Sequence, residues 1–218
     1  MCTGIAEDAP LSLRMGSSVD VNDRDALRAR LRLQRTALTP ALRIAAASGL
    51  AATLEQLPEF LIDARIAGYW AVGGELPLNI ATARLPARAQ RYHLPVLAAG
   101  RRLRFAPWQL GAELRPNRFG IPEPRCDDAD LLEPQALDLV LVPLLGFDRR
   151  GHRLGTGGGY YDRSFSFLQA ATRPAQPVLV GIGYSFCELP ALPDQPWDVK
   201  MDFVATEREL IDCTEQER

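Results

Sequence analysis

Phe147-Asp148-Arg149-Arg150-Gly151-His152-Arg153-Leu154-Gly155-Thr156-Gly157-Gly158-Gly159-Tyr160-Tyr161-Asp162-Arg163 follows an apolar run at 137–145 that reads as a buried strand, and precedes residues 164–171, which read as a helix. A glycine-dense turn between strand and helix lets the backbone come close to a ligand, and a helix start offers unpaired N–H groups to an anion. Charged side chains crowd the same turn, so it reads as a phosphate-binding loop rather than a linker. Two common phosphate fingerprints fail here. A Walker loop carries Lys and then Ser or Thr after its last Gly, where this chain has Tyr160 and Tyr161. The dinucleotide fingerprint needs Gly at position 160. Lys200 is the single lysine among the 25 basic residues. Phosphate charge must therefore be met by arginine, backbone N–H groups or a metal ion, and a Schiff-base lysine is disfavoured.

Outward from this loop, residues 23–38 read as a helix capped by Asn22 or Asp23. Leu27, Leu31 and Leu38 form one stripe at helical spacing, with Arg24, Arg28 and Arg35 on an adjacent stripe, within about 40° of one another at 100° per residue. Thr39-Pro40 opens a second helix to about residue 57. Strands are expected at 65–71, 92–97, 103–105 and 177–183, with a short final strand at 202–206. A helix is expected at 77–90, with Pro86 as a possible break, and a Pro-rich loop at 116–134. Alternating strands and helices predict an α/β sandwich with a largely parallel sheet. Ligands on such sheets bind beyond the carboxyl ends of strands. The Gly loop, residues 70–75 and residues 183–187 all lie there, and are expected to share one cleft.

With 218 residues, 47% of them apolar, the chain is long enough for one sizeable core. The expected organisation is a single catalytic domain at 19–207 between mobile tails at 1–18 and 208–218, with Met15 as an alternative start. A net charge of −2 disfavours a nucleic-acid binder. Cys2, Cys126, Cys187 and Cys213 are scattered, and only His93 and His152 could join them, so neither a zinc site nor a disulfide framework is expected. No segment has the apolar length of a membrane span, and residues 1–18 lack the apolar stretch of a signal peptide. The expectation is a cytoplasmic enzyme, monomeric, with no membrane partner.

The Gly loop resembles the signature of the 5-formyltetrahydrofolate cyclo-ligase family: Val142-Pro143, Gly146-Phe147-Asp148, Gly151, Arg153-Leu154-Gly155, Gly157, Gly159 and Tyr160-Tyr161-Asp162-Arg163. Other stretches follow in the family's order: Arg24-x-x-Leu27-Arg28 with Arg35 and Leu38, Glu75, Phe119-Gly120-Ile121-Pro122-Glu123-Pro124, and Asp198, Asp202, Thr206 and Glu207. The resemblance spans about residues 22–207. It implies a three-layer α/β/α sandwich similar to the sugar-phosphate isomerase and CoA-transferase group. It also implies an ATP- and Mg2+-dependent closure of 5-formyltetrahydrofolate, with or without a polyglutamate tail, to 5,10-methenyltetrahydrofolate.

By the same resemblance, Arg24, Arg28, Arg153, Leu154, Gly155, Thr156, Gly157, Gly158, Gly159, Tyr160 and Tyr161 hold ATP. Asp162 and Asp198 hold magnesium. Trp70, Glu75 and residues 156–160 (Thr156 to Tyr160) line the folate site, and Arg153 and Tyr160 are the expected catalytic residues. Some family members carry basic residues where this chain has Thr156 and Gly158, Gln where it has Cys187, and His where it has Trp197. Taken singly, most of these residues have plainer readings. Asp162 can charge a first helical turn, the Arg stripe can be a solvated face, and Trp70 can be core. Two other functions stay open on the residues alone: a sugar-phosphate isomerase or deaminase, disfavoured by the shortage of Lys and His, and a non-catalytic folate or nucleotide binder.

Overall fold

Asp23 caps the first helix, its carboxylate accepting the N–H groups of Asp25 and Ala26, and α1 runs Arg24–Thr36. The structure is a computed structural model in which residues 23–173, 175–193 and 195–214 are described. The expected tail at 1–18, Met15 and the alternative cap Asn22 lie outside the described residues. The Leu27 and Leu31 stripe is buried and Leu38 packs beside it. Thr39 caps α2 (Pro40–Leu54) by accepting the Leu42 N–H. The expected continuation to 57 does not form: Leu57 is extended and Pro58, which has no N–H to give, opens the short α3 (Pro58–Ile62).

The next elements are β1 (Arg65–Ala67), α4 (Asn79–Thr82), β2 (Arg91–Ala98), β3 (Arg102–Pro107), β4 (Leu114–Pro116), β5 (Pro122–Pro124) and β6 (Leu139–Pro143). They are followed by β7 (Gly146–Phe147), β8 (Arg153–Leu154), α5 (Tyr160–Ser164), β9 (Val178–Ile182), β10 (Phe203–Ala205) and β11 (Leu210–Asp212). Seven strands form one sheet in the order β11-β10-β9-β6-β1-β2-β3. The five central strands are parallel, and β3 and β11 close the edges antiparallel. The apolar runs of β6 and β9 are buried along almost their whole length, as strands covered on both faces must be. From β1 the chain steps to β2 on one side, and later from β6 to β9 on the other. Right-handed crossovers in opposite directions put α4 and α5 on opposite faces, and α2 packs with α4. This is the expected three-layer α/β/α sandwich around a largely parallel sheet.

Several local expectations give way. The strand expected at 65–71 stops at Ala67, because the Tyr69 hydroxyl donates to the Leu76 carbonyl at 2.6 Å and folds the following residues into a closed loop. The helix expected at 77–90 is reduced to α4 and a 3-10 turn at Pro86–Arg88, since Pro86 cannot donate to the turn before it. Part of the Pro-rich loop pairs as the β4–β5 hairpin, whose turn is held by the Asn117 side chain accepting the Phe119 and Ile121 N–H groups.

The Gly-rich stretch is not one turn. Its first half is the β7–β8 hairpin, and only residues 155–159 are the loop. The helix expected at 164–171 starts earlier, at Tyr160, and lasts five residues before a 3-10 turn at Ser166–Leu168. So short a helix has little macrodipole, and the loop itself must do any anion binding. Finally, β10 is not the last strand. The expected tail at 208–218 begins instead with β11, which pairs Ile211 with Val204, and residues 215–218 lie outside the described residues. Among the described residues no single helix is long and apolar enough to span a membrane.

Candidate active site

The crossovers leave β1 and β6 in opposite directions, so a crevice opens past their carboxyl ends, where ligands settle on sheets of this kind. A cleft of ≈ 1270 Å³ occupies it, walled by Tyr69 and Trp70 beyond β1 and by Pro143 at the end of β6 with Leu144 and Leu145 beyond it. Pockets for one small ligand hold about 300–1,000 Å³, so this cleft is larger than one small ligand needs. Every residue expected to bind ATP, folate or metal lines this cleft except Leu154. Leu154 is fully buried in the core, and its carbonyl accepts the Leu145 N–H. Residues 183–187, also expected here, do not line the cleft. The β7–β8 hairpin closes off the start of this segment: Phe147 packs near Gly183, and its carbonyl accepts the Leu189 N–H at 2.8 Å, while Phe186 is exposed away from the cleft lining. Cys187 is fully buried, and burial pushes its thiol up to about 12, so it stays protonated and inert.

One end of the cleft is built on the loop after β1. Glu75 is largely buried; its Oε2 accepts the Val72 N–H at 3.1 Å, and its Oε1 lies 4.0 Å from Arg35. Arg35, itself buried, donates to the Gly73 carbonyl at 3.0 Å and fixes the same loop to α1. Burial raises the Glu75 carboxyl above its usual range, only partly offset by the Val72 N–H and Arg35. Trp70 is part-exposed on the wall and meets Trp108 edge-on with ring centroids 5.9 Å apart. Trp70 is therefore neither pure core nor free surface: one edge is anchored and the rest faces the cleft.

The other end is held by α1. Arg24 donates to Asp198 at 3.1 Å and to the Arg153 carbonyl at 3.2 Å, while its buried Nε has no acceptor among the described residues. Arg28 donates to the Gly155 carbonyl at 3.0 Å, and Arg32 to the Thr156 carbonyl at 3.0 Å. The arginine stripe is thus not a solvated face. Arg32 was missed from sequence, although its i+4 spacing from Arg28 was there to be read. From the far side Arg163 donates to the carbonyls of Gly158 and Gly159, both at 3.0 Å. Gly157 and Gly159 have φ of 102° and 66°, the left-handed region in which a side chain is strained. Tyr160 is placed by Arg118, which donates to its hydroxyl at 2.6 Å, and by Phe119, edge-on at 6.1 Å. Both come from the β4–β5 hairpin, a partner that only the tertiary fold supplies.

Arg153 is buried, and its guanidinium is already engaged, donating to the Val199 carbonyl and to Asp162. The loop carrying Asp198 is in this way stapled to α5. Among the described residues there is no cluster of three or more His, Cys, Asp or Glu suited to a metal. Magnesium does not need one: it binds one or two carboxylates together with substrate phosphates and waters. Asp162 and Asp198 fit that donor set. Each uses one oxygen on an arginine, and the other takes no hydrogen bond from the described residues. Trp197, beside Asp198, stands exposed on the cleft.

Residues 20–207 match the model of the 5-formyltetrahydrofolate cyclo-ligase family. The 5-formyltetrahydrofolate cyclo-ligase of Escherichia coli K12 is 34% identical over 181 residues, covering 81% of this chain and 96% of the relative. A solution structure of Aquifex aeolicus 5,10-methenyltetrahydrofolate synthetase superposes with a TM-score of 0.73 at 28% identity, over 87% of this chain and 92% of that one. The corresponding Mycoplasma pneumoniae synthetase gives 0.66 at 26% identity, over 85% and 99%. Sheet order, cleft and loop signature therefore meet in one conclusion: this chain belongs to the 5-formyltetrahydrofolate cyclo-ligase family, a family of enzymes.

Proposed function

We propose that this protein uses ATP and magnesium to close 5-formyltetrahydrofolate to 5,10-methenyltetrahydrofolate, releasing ADP and phosphate. The observation that carries the reading is a single cleft with a buried carboxylate and a tryptophan at one end and an arginine-held glycine loop with two aspartates at the other. The formyl oxygen attacks the γ-phosphorus, the bond to the β-phosphate bridging oxygen breaks and ADP leaves. The product is an iminium phosphate. Nitrogen-10 attacks the activated carbon and loses its proton, and the carbon–oxygen bond breaks to release phosphate. No protein nucleophile is required, and the chain's task is positioning and charge neutralisation.

Glu75 faces the pterin's N–H donors, and Trp70 and Tyr160 supply faces for a flat ring. Arg24, Arg28 and the N–H groups of the loop meet the phosphates, while Arg153 holds Asp162 in place. Magnesium held at Asp162 and Asp198 supplies neutralisation of phosphate charge. The direct test is the near-ultraviolet absorbance of the methenyl product formed from 5-formyltetrahydrofolate, ATP and magnesium, with one ADP per folate. No absorbance change with both ligands bound would reject cyclisation.

Two substitutions divide the ends of the site. Glu75→Gln should raise the folate KM by roughly 10- to 100-fold, the worth of a hydrogen bond to a charged group, and leave the ATP KM near wild type. It should also change stability against pH in a defined direction. Glu75 has a folded pKa above its unfolded one, so its stabilising contribution is full below the unfolded value and is lost as pH rises through the folded value. Denaturant unfolding at pH 4 and 8 should show that fall reduced in the Gln variant; an unchanged difference would mean that Glu75 is not the buried acid responsible. Asp162→Asn keeps the shape that Arg153 grips but removes the charge. The magnesium concentration for half-maximal rate should rise roughly 10- to 100-fold, and an unchanged titration would return Asp162 to a purely structural role.

A further inference from the structure

The loop that meets the phosphates is gripped from outside by residues with no assigned part in the reaction. Arg32 holds the Thr156 carbonyl, and Arg163 holds those of Gly158 and Gly159. In a planar trans peptide the carbonyl of one residue and the N–H of the next point in opposite directions. Each arginine that captures a carbonyl therefore turns the following N–H the other way. The N–H groups so directed, on Gly157, Gly159 and Tyr160, have no acceptor among the described residues. Successive backbone N–H groups left open in this fashion make an anion-binding concavity. In a glycine loop without side-chain packing, something must choose this peptide orientation over its alternatives. The glycines at 157 and 159 permit it, and the guanidinium groups impose it at the Thr156 and Gly158 carbonyls; at Gly159 the Arg163 backbone N–H shares that task, at 3.2 Å.

We propose that Arg32 and Arg163 are positioning residues of the phosphate site, acting by clamping loop carbonyls so that the loop N–H groups are preset for the triphosphate. The proposal rests on the ATP-dependent reading above and deepens it. It also accounts for Thr156 and Gly158, two loop positions without a basic side chain. Here charge is brought from α1 and α5 to the back of the loop instead of projecting from the loop itself.

The test uses the full-length protein, amide-resolved by 1H–15N NMR, titrated with inorganic tripolyphosphate. In the wild-type protein the Gly157, Gly159 and Tyr160 amide protons should move downfield together. In Arg32→Ala the Gly157 shift should shrink, in Arg163→Ala the Gly159 shift, and in each tripolyphosphate binding should weaken by about 3- to 10-fold, what one charge-assisted hydrogen bond at an exposed position contributes. Arg32→Lys, which keeps a donor, should recover part of the affinity. It also guards against misfolding, since both arginines are exposed. In turnover the ATP KM should rise with kcat at saturation retained. Wild-type-like shifts and affinity in the Ala variants would overturn the proposal, as would an absence of amide shifts in the wild type. Amide shifts that depend on Arg32 in a protein that forms no methenyl product would uphold the clamp while rejecting the reaction.

Discussion

Arg153→Ala should lower kcat by about 10- to 100-fold, the usual cost of losing the group that orients a metal ligand. It should also destabilise the fold by roughly 3–5 kcal/mol, the cost of breaking a buried ion pair from one side. Both losses come from one geometry. The Arg153 guanidinium is buried, joined to the Val199 carbonyl on one side and to Asp162 on the other. Truncation leaves a carboxylate and a carbonyl short of their donor and frees the segment that carries Asp198. The resemblance alone suggested a residue facing ATP; the structure shows one whose charge is already spent on neighbours. Single-turnover rates and urea unfolding measured on the same variant separate the two effects. A turnover within a few-fold of wild type in the folded protein would remove Arg153 from the reacting site. Arg153→Lys should recover stability in part, since one ammonium cannot span both acceptors.

Gly151→Ala should be the converse case, a large loss of stability with little change in the site. Gly151 has φ of 81°, and a Cβ there would lie 2.5 Å from the Met201 carbonyl oxygen and 3.1 Å from the Cys213 side chain. The left-handed backbone costs a non-glycine residue roughly 1–2 kcal/mol, and overpacking a tight contact adds about 1–3 kcal/mol. The obstructing atom is backbone, and it cannot yield cheaply, because Met201 N–H donates to the Gly151 carbonyl at 2.9 Å. A denaturation midpoint near wild type would refute this packing. Gly151 does not line the cleft, so the KM values of the folded fraction should hold. Within one loop signature, then, Gly151 serves the fold and the glycines at 157–159 serve the site.

Much of this was legible without coordinates, for reasons that operate within a few residues. Asp23 and Thr39 cap their helices because short oxygen-bearing side chains reach N–H groups two or three positions on. The runs before the Gly loop and at 178–182 are strands because they are apolar on both faces. The loop's glycines and crowded charges read as a phosphate loop by chemistry alone, and the structure sets that loop on the cleft. What was not legible depends on contacts far apart in sequence. Residues 183–187 end a strand as plainly as 143–145 do, yet the hairpin packed on Gly183 leaves only the second group in the cleft. Leu154 sits inside the signature, but alternation along β8 turns it into the core.

By itself, the sequence determined that α1 and α2 would be helices and that β6 and β9 would be buried strands, because caps, periodicity and apolar runs act locally. Only the tertiary structure decided which side chains meet at the loop. Arg28 and Gly155 are separated by 127 positions, and Arg32 and Thr156 by 124. Their meeting depends on the chain crossing the sheet in opposite directions from β1 and β6, a choice made by the packing of all seven strands at once.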